Sequence, residues 1–399
     1  MVRLSIALFL VQAGFHGYTA AMPLALDRAG RPDSEIGLIV GIAALVQIPA
    51  ALLAGMLIDS FGGVRLFLVG GAAYVMASAL LVLPGVDPAG STVPFIAARV
   101  LQGFGIGLAL PAALSVVPSL VAVARQGFAL AIAGLAHNMT LVVIPPISLV
   151  VLDAYGLPGV AVFVLAVVGV GIALTAIRPL LSRRAVPSEP VGVGRRRFRF
   201  TWRSSWAAPM AIVLLFAAHW GLIIAYLPQR AEAAGADIGL FFAADGIGVL
   251  LARVPAGWLA DRAAPLRPIL AGVAITLAGV VLLLPLPTTP LLVISGALTG
   301  GGAAFIVAPL FLALTRRSDD TDRGSAFGLF SAAFALALAV GSVGAAPVID
   351  SLGFEVALVV LIVALIAAAG VALADRGLAS LQPGSADFEP ETAAVPPAA

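Results

Sequence analysis

Twelve apolar stretches, each long enough to cross a bilayer, follow one another along this chain of 399 residues. A helix needs roughly 20 apolar residues to span the hydrocarbon core, where only helices and closed barrels satisfy their own backbone groups. Hydrophobic residues make up 61% of the chain and charged residues 11%, whereas soluble domains carry about 25% charged residues. The pattern predicts an all-α membrane protein with twelve transmembrane helices, at residues 4–26, 36–58, 65–85, 92–120, 127–152, 157–181, 207–229, 236–259, 267–287, 289–314, 324–349 and 353–375.

The side chains that the chain lacks exclude several kinds of site. There is no cysteine, which excludes disulfides, thiolate metal sites and thiol nucleophiles. All 22 basic residues are arginine, so the lysine of a P-loop is missing and Schiff-base chemistry is excluded. We therefore expect neither a cofactor nor a bound metal.

The distribution of arginine predicts the orientation of the helices. Only Arg28, Arg31 and Arg230 fall in the loops that follow odd-numbered spans, and Arg99 and Arg253 lie inside spans. The remaining seventeen of the 22 arginines lie in the other loops or at the ends of the chain. Because arginine accumulates on the cytoplasmic side, we expect both termini in the cytoplasm and the protein in the inner (plasma) membrane of the cell.

Four regions follow from the apolar pattern: an N-terminal six-helix bundle (1–181), a basic cytoplasmic linker (182–206), a C-terminal six-helix bundle (207–375) and a disordered cytoplasmic tail (376–399). The linker alternates arginines with aromatic residues and ends with Trp202 and Trp206. This alternation favours a segment that lies on an anionic lipid surface over one that binds nucleic acid. Proline, alanine and acidic residues dominate the tail, a composition typical of disorder.

The two halves resemble each other at an offset of about 200 residues, as expected for an internal repeat. The matching pairs keep the same order: Ala29-Gly30 with Ala234-Gly235, Gly55 and Asp59 with Gly257 and Asp261, Arg65 with Arg267, Gly103 and Pro111 with Gly301 and Pro309, and Asp153 with Asp350. Repeated six-helix halves with a binding site between them at the middle of the membrane are a known plan of transporters.

Three of these segments resemble signatures of the major facilitator superfamily. They are Gly55-Met-Leu-Ile-Asp59-Ser-Phe-Gly62-Gly-Val-Arg65 after span two, Gly257-Trp-Leu-Ala-Asp261-Arg262 after span eight, and Arg99-Val-Leu-Gln102-Gly103-Phe-Gly105 in span four. The resemblance covers residues 4–375 and implies the twelve-helix fold of that family, transport by alternating access and, from the span-four motif, coupling to protons, as in the bacterial efflux members.

The chain departs from the family pattern at two places. Ser60 stands where the first signature usually has a basic residue. Span five contains Ile144-Pro145-Pro146, whereas exporters of the family often carry Gly-Pro followed by paired glycines. The second difference favours import.

The repeated loop signature suggests a gate on the cytoplasmic side. Asp59 and Asp261 are expected to pair with a nearby arginine (Arg65, Arg262 or Arg267) and to cap an adjacent helix. Gly55 and Gly257 would let neighbouring helices approach closely. The alternative is a plain turn with a solvated aspartate.

Three charged residues within the spans also need an explanation. Arg99 lies in an apolar run, where an arginine normally faces a partner or a watery cavity. It would tune a proton site or bind an anionic substrate, or else donate to carbonyl groups of a neighbouring helix. Asp245 and Arg253 lie eight residues apart in span eight, and we expect them to form a comparable cluster with a mainly structural role.

All three histidines, His16, His137 and His219, lie near the middle of spans one, five and seven. Histidine exchanges protons near neutral pH, so we expect one of them, His219 or His16 first, to lie on the path of the substrate or the proton. The alternative is a neutral histidine that donates to a backbone carbonyl. Gln12, Gln102 and Asn138 add long polar groups that would line a lumen, although amides in membrane helices often only join helices.

These observations lead to one preferred function and several alternatives. The preferred function is secondary active transport of a small organic solute, coupled to protons, with efflux of a drug or metabolite first and uptake of a sugar or an organic acid by a symporter as the alternative. A membrane-embedded enzyme would need a catalytic cluster that the spacing does not predict, and a sensor would usually carry a soluble domain. We expect a monomer.

Overall fold

The computed structural model describes residues 1–122, 126–176, 202–319 and 322–380. Its helices are α1 (Val2–His16), α2 (Ala21–Arg28), α3 (Asp33–Phe61), α4 (Gly63–Leu81), α5 (Val93–Val116), α6 (Gln126–Ala176), α7 (Ala207–Ala233), α8 (Ile238–Arg262), α9 (Leu266–Val281), α10 (Thr289–Arg316), α11 (Arg323–Ala339), α12 (Ala346–Leu352), α13 (Phe354–Ala374) and α14 (Arg376–Ser380). The linker arginines at 195–199 and the tail beyond 380 lie outside the described residues.

These helices form twelve membrane spans. Ten helical stretches in the described ranges are long and apolar enough to cross a membrane, and α9 is a shorter apolar helix. One of the ten, 132–176, is long enough for two spans, and it bends at Gly156, whose φ is +66°. The predicted boundary between spans five and six, at 152–157, coincides with this bend. The prediction of twelve transmembrane helices in two pseudo-symmetric bundles is confirmed.

The first span is not the continuous helix that the sequence predicts. It breaks between α1 and α2, where residues 17–20 form turns. A Cβ atom built on Gly17 would lie 2.4 Å from Cγ2 of Val164, so glycine permits a close contact with α6 here. Because of this break, His16 is the last residue of α1. The eleventh span is also interrupted, by a π-helical turn at Val340–Gly344.

The two halves pack in the same way. In the first half α5 contacts α3 and α4, and in the second half α10 contacts α8 and α9. The halves meet through α3 with α11 and through α6 with α8. Even numbers of crossings place both ends of the described chain on one face, which we call the terminal face; the other is the opposite face.

Glycines bring paired helices into backbone contact. A Cβ atom on Gly103 would lie 2.5 Å from the carbonyl oxygen of Ala43 in α3, and one on Gly107 would lie 2.6 Å from Cβ of Ala50. In the second half, a Cβ atom on Gly300 would lie 2.0 Å from the carbonyl oxygen of Asp245. The predicted counterpart of Gly103, Gly301, has a looser contact at 3.9 Å. These glycines serve helix packing.

On the terminal face, Arg317 joins the end of the linker to the end of the last span. Arg317 donates to the carbonyl of Ser205 and to the carboxylate of Asp375, each at 2.7 Å, and the Trp206 indole donates to the carbonyl of Arg317 at 3.2 Å. Burial alone would raise the pKa of Asp375, but hydrogen bonds from Arg317 and the following backbone hold that pKa below its usual value.

Two predictions for this region need correction. Trp206 is completely buried and does not lie on a lipid surface, because its indole N–H has a partner inside the protein. Residues 376–380, which the sequence assigns to a disordered tail, form α14 with Leu378 fully buried. The apolar contact of Leu378 extends the ordered chain past the predicted boundary at 375.

The even number of spans gives a first test. In intact bacterial cells, single cysteines introduced as Ser91→Cys and Thr288→Cys, both on the opposite face, should react with a membrane-impermeant maleimide. Ser380→Cys should react only after the cells are permeabilised, because the arginine bias places the terminal face in the cytoplasm. The natural chain lacks cysteine, so the unmodified protein is the blank. Labelling of Ser380→Cys in intact cells would reverse the predicted orientation.

Candidate functional site

A set of polar side chains, in two groups that are each held by their own contacts, lies inside the first half. We call it the polar cluster, and it consists of Gln12 and His16 on α1, Tyr74 on α4, Arg99 and Gln102 on α5, and His137 on α6. Gln12, Arg99 and Gln102 are at most 1% exposed. Polar groups held this deep among apolar helices are expensive and mark functional sites. Every member except Tyr74 was predicted from the sequence as a site residue, and the structure brings them together.

Arg99 ends the cluster on the side that faces the second half. Its Nη1 donates to Oε1 of Gln102 at 2.9 Å, and its guanidinium carbon lies 5.9 Å from the centre of the Phe15 ring. The Nε atom of Arg99 and the Nε2 atom of Gln102 are buried and have no hydrogen-bond partner in the described part of the chain. Two strong donors therefore point into the protein without an acceptor.

The histidines of the cluster have unequal surroundings. His137 Nδ1 lies 3.0 Å from Nε2 of Gln12, and the Tyr74 hydroxyl donates to Oε1 of the same amide at 3.3 Å. The rings of His16 and His137 are 5.6 Å apart. Both ring nitrogens of His16 are buried and lack partners among the described residues. His16 is thus the open member of the pair.

Tyr74 is the member that sequence reasoning missed. A Cβ atom on Gly14 would lie 2.3 Å from Cγ of Tyr74, and one on Gly105 would lie 2.5 Å from its Cε1. These two glycines make room for the ring between α1 and α5. The span-four motif thus contributes Arg99 and Gln102 to the cluster and Gly105 to the space for Tyr74. A lone tyrosine in an apolar run gives no sign of this role in the sequence.

A small cavity connects Arg99 to the second half. It has a volume of about 20 Å³, and Phe15, Thr19 and Arg99 line it together with Gly221 and Ser342 of the second half. A space of this size holds about one water molecule. A solute can therefore occupy this position only when the halves move apart. Asn138, one residue after His137, also has a buried amide nitrogen without a described partner.

Asp245 and Arg253 do not form the cluster that the sequence predicts. The carboxylate of Asp245 accepts from the Thr299 hydroxyl at 3.1 Å, in the tight contact between α8 and α10. Arg253 points to the first half, where its Nη1 lies 3.4 Å from a Cβ atom built on Gly134. Because eight residues advance a helix by more than two turns, the two side chains lie at different depths and contact different helices. Asp245 joins helices, and Arg253 reaches α6 one turn before His137.

His219 lies apart from the polar cluster. Its Nδ1 pairs with the carbonyl oxygen of Phe216 in the same helix, and its ring contacts the Phe216 ring at 5.2 Å. This geometry matches the alternative of a histidine bound to a backbone carbonyl, although the carbonyl belongs to its own helix. Of the two histidines that the sequence ranks first, His16 belongs to the cluster.

The loop signatures are only partly described. The surroundings of Gly55 and the side chains of Asp59 and Asp261 lie outside the described set. Gly62 has φ +83° and joins α3 to α4 directly, a backbone conformation that favours glycine. Arg65 and Arg267 are exposed, and Arg262 stacks on Trp258 at 4.6 Å.

The close helix approach expected at Gly257 is not found: within the described ranges no atom lies within 4 Å of a Cβ atom built there. Its exposed neighbours Val254 and Trp258 show that this part of α8 faces outward. The glycines that do allow close approach lie deeper in the bundle.

On the opposite face an arginine joins the two halves. Arg28 of the first half contacts Asp153 of the same half at 2.7 Å and donates through Nε to Glu232 of the second half at 2.8 Å. We call these three residues the cross-half bridge. They border a cleft of about 370 Å³ between α6 and the start of α8. The sequence placed Asp153 at the end of a helix but gave no sign of its partners.

Comparison with protein families gives one match that extends over most of the chain. The family model described as Major Facilitator Superfamily matches residues 4–235 and 231–394. The gentisate transporter of Corynebacterium glutamicum is 31% identical over 156 residues, which cover 37% of this chain and 32% of that protein. The match thus spans about a third of the length of this relative.

Solved structures share the fold at low identity. A nucleoside transporter, NupG, aligns with a TM-score of 0.75 and 13% identity, covering 94% of this chain and 98% of its own. The human organic anion transporter MFSD10 aligns with a TM-score of 0.67 and 16% identity, covering 93% and 98%. These likenesses establish the helix arrangement.

The cross-half bridge gives a second test. Arg28→Glu should let the halves separate more often on the opposite face, because the introduced carboxylate would repel Asp153 and Glu232. An exposed pair contributes up to about 1 kcal/mol, or roughly five-fold in population. The measurement is the rate at which an impermeant maleimide labels a Thr19→Cys reporter, because Thr19 is buried in the cavity between the halves.

The matched control is Arg31→Glu. Arg31 bonds Glu35, the Thr92 hydroxyl and the Pro88 carbonyl, all in the first half, so its loss should leave the labelling rate unchanged. Adding Glu232→Arg to Arg28→Glu should restore slow labelling. Equal rates in Arg28→Glu and the parent would show that the bridge does not hold the halves together.

Proposed function

The chain belongs to the Major Facilitator Superfamily, and on that premise we propose that it carries a small organic anion across the membrane by alternating access, together with protons. It is a multi-pass membrane transporter of a small solute and not an enzyme. The identity of the solute, the coupling ion and the direction of transport are the proposed parts.

The observation that carries the anion proposal is the excess of unsatisfied donors at the polar cluster. In the cluster, Arg99 Nε and Gln102 Nε2 are buried N–H groups without acceptors in the described chain, and Asn138 Nδ2, next in sequence to the cluster residue His137, is a third. A buried donor without a partner costs about 1–3 kcal/mol, and a solute that supplies acceptor oxygens removes this cost. A carboxylate does so and also neutralises the guanidinium of Arg99.

The surroundings of Arg99 suit an anion with an apolar or aromatic body. Phe15 lies beside the guanidinium, and Val40, Ala44 and Leu338 line the adjoining cavity. Ligand sites commonly combine such apolar walls with a few placed polar groups. The gentisate transporter among the relatives carries a solute of this kind, as its name states, which supports the proposal.

For the direction, we favour uptake of the anion. The span-five segment Ile144-Pro145-Pro146 differs from the family's exporters. Efflux of a drug or metabolite is the second candidate, and the apolar lining of the cavity favours it. In both cases we propose a monomer in the plasma membrane with the terminal face in the cytoplasm, in line with the arginine bias.

Arg99→Gln tests the anion site. We expect the half-saturating concentration of gentisate, measured as uptake into proteoliposomes, to rise roughly 10- to 150-fold, the equivalent of the 1.5–3 kcal/mol of a charged hydrogen bond. Arg376→Gln is the matched control, since Arg376 is exposed and outside the spans. The solute panel should also contain benzoate, uridine and glucose. Transport of uridine or glucose but of neither anion would refute the proposal.

Asp59→Asn tests the proposed gate on the terminal face. The change keeps the shape of the side chain and removes its charge, and we expect it to shift the carrier toward the conformation open on the terminal face by about 1–3 kcal/mol. Transport by the purified variant in proteoliposomes should slow or stop while membrane insertion is retained. Ser60→Ala, at the next residue of α3, should transport at the parent rate. A parent rate for Asp59→Asn would argue for a solvated turn.

A further inference from the structure

The two interrupted spans meet at the cavity beside Arg99. Thr19 lies in the turns at 17–20 that break the first span, and Ser342 lies in the π-helical turn of the eleventh span. Both residues line the cavity, Thr19 from the first half and Ser342 from the second. The cavity holds about one water molecule, so a single oxygen atom placed there would be within reach of both halves.

The break in the first span leaves the hydroxyl of Thr19 without a partner. Within a helix, threonine commonly donates to the carbonyl group four residues before it, as do Thr140, Thr175, Thr299 and Thr315. At Thr19 the helix has already ended, and the carbonyl of Phe15, four residues before, accepts from the backbone N–H of Tyr18. The Thr19 hydroxyl is buried and has no hydrogen-bond partner among the described residues. It can therefore both donate to and accept from a bound solute.

The π-helical turn presents the hydroxyl of Ser342 as an acceptor. Its Oγ donates to the carbonyl of Leu338 at 2.8 Å, so the hydrogen of this hydroxyl is occupied and its oxygen remains able to accept. The Tyr226 hydroxyl donates to the carbonyl of Ser342 and holds the turn against α7. A Cβ atom built on Gly41 of α3 would lie 2.5 Å from this Oγ, so glycine leaves room for it at the boundary between the halves.

Resting on the proposed transport of an organic anion, we propose that Thr19 and Ser342 form a hydroxyl subsite that selects carboxylates carrying a hydroxyl group. The carboxylate of the solute pairs with Arg99, and its hydroxyl accepts from Thr19 and donates to Ser342. Sites built to hydrogen-bond a hydroxyl reject an analogue without it, because their buried polar groups are then left unpaired. Since Thr19 and Ser342 belong to different halves, the same hydroxyl also favours closing of the halves around the solute.

The experiment compares a hydroxyl group with a methyl group of similar size. Isothermal calorimetry on the purified carrier in detergent at neutral pH measures the dissociation constants of the three isomers of hydroxybenzoate and of the methylbenzoates with the same substitution. All are anions, and the members of a pair have nearly equal shape, so the ratio within each pair reports hydrogen bonding and not fit. We expect at least one isomer to bind the parent roughly three- to ten-fold more tightly than its methyl analogue, the gain from a neutral hydrogen bond.

Threonine variants test the part of the subsite that lies in the first half. Thr19→Val keeps the shape of the side chain and removes the hydroxyl, so the ratio should fall toward unity while unsubstituted benzoate still binds. Thr19→Ser retains a hydroxyl and should retain the preference. The matched control is Thr276→Val. The hydroxyl of Thr276 is also buried without a described partner, but it faces Gly302 between α9 and α10, and its removal should leave the ratio unchanged.

Ser342→Ala tests the part that lies in the second half. It removes the acceptor and should reduce the preference for the hydroxyl group as well. It should also slow the exchange of the preferred hydroxybenzoate across proteoliposomes more than the exchange of its methyl analogue. Exchange requires the halves to close around the solute, which is the step that the bridging hydroxyl favours.

The outcomes distinguish this inference from the proposed function. Equal affinities within all three pairs in the parent, or a preference that survives intact in Thr19→Val or in Ser342→Ala, overturn the hydroxyl subsite and leave the anion carrier standing. Absence of binding for every benzoate overturns the anion proposal and the subsite with it. If Thr19→Val does not fold, the ratios in the parent and in Ser342→Ala still decide between the subsite and its refutation.

Discussion

Close contact between helix backbones is the interaction on which the rest of this structure depends. In lipid the apolar side chains gain little by associating, so helices are held together by packing and by hydrogen bonds between them. Gly103 and Gly107 bring α5 against α3, and Gly300 brings α10 against α8. The same kind of close helix packing recurs in both halves. The polar cluster lies inside the first half and not across the boundary between the halves.

Much of this architecture is predictable because the bilayer imposes one length and one kind of secondary structure. Twelve apolar stretches, a repeat, two loop signatures and the span-four motif suffice for the spans, their order and the family. The break after His16 and the π-helical turn at Val340–Gly344 were not predictable, because a helix is interrupted where its neighbours require it. Gly17 looks like any other glycine until Val164 is found beside it.

The site was predictable residue by residue but not as a group. His16, His137, Gln12, Arg99 and Gln102 are conspicuous because polar side chains are rare in apolar runs, yet their order in the chain does not reveal which of them meet. His219 and Asp245 are equally conspicuous and turn out to bond their own helix and α10. Arg28 and Glu232 lie in different halves, and only the assembled fold shows that they pair. Helix packing determines which polar residues contact one another. The rarity of polar side chains in the apolar runs identifies the candidates but not their partners.

The contacts of Arg317 have a practical consequence for anyone who tags or shortens this carrier. The side chain of Arg317 hydrogen-bonds both Ser205, at the end of the linker, and Asp375, at the end of the last span. A truncation that removes residues 375–380 would therefore also loosen the attachment of the connection between the two halves. A fluorescent protein or affinity tag fused after Ser380 leaves this junction whole and emerges beside the linker.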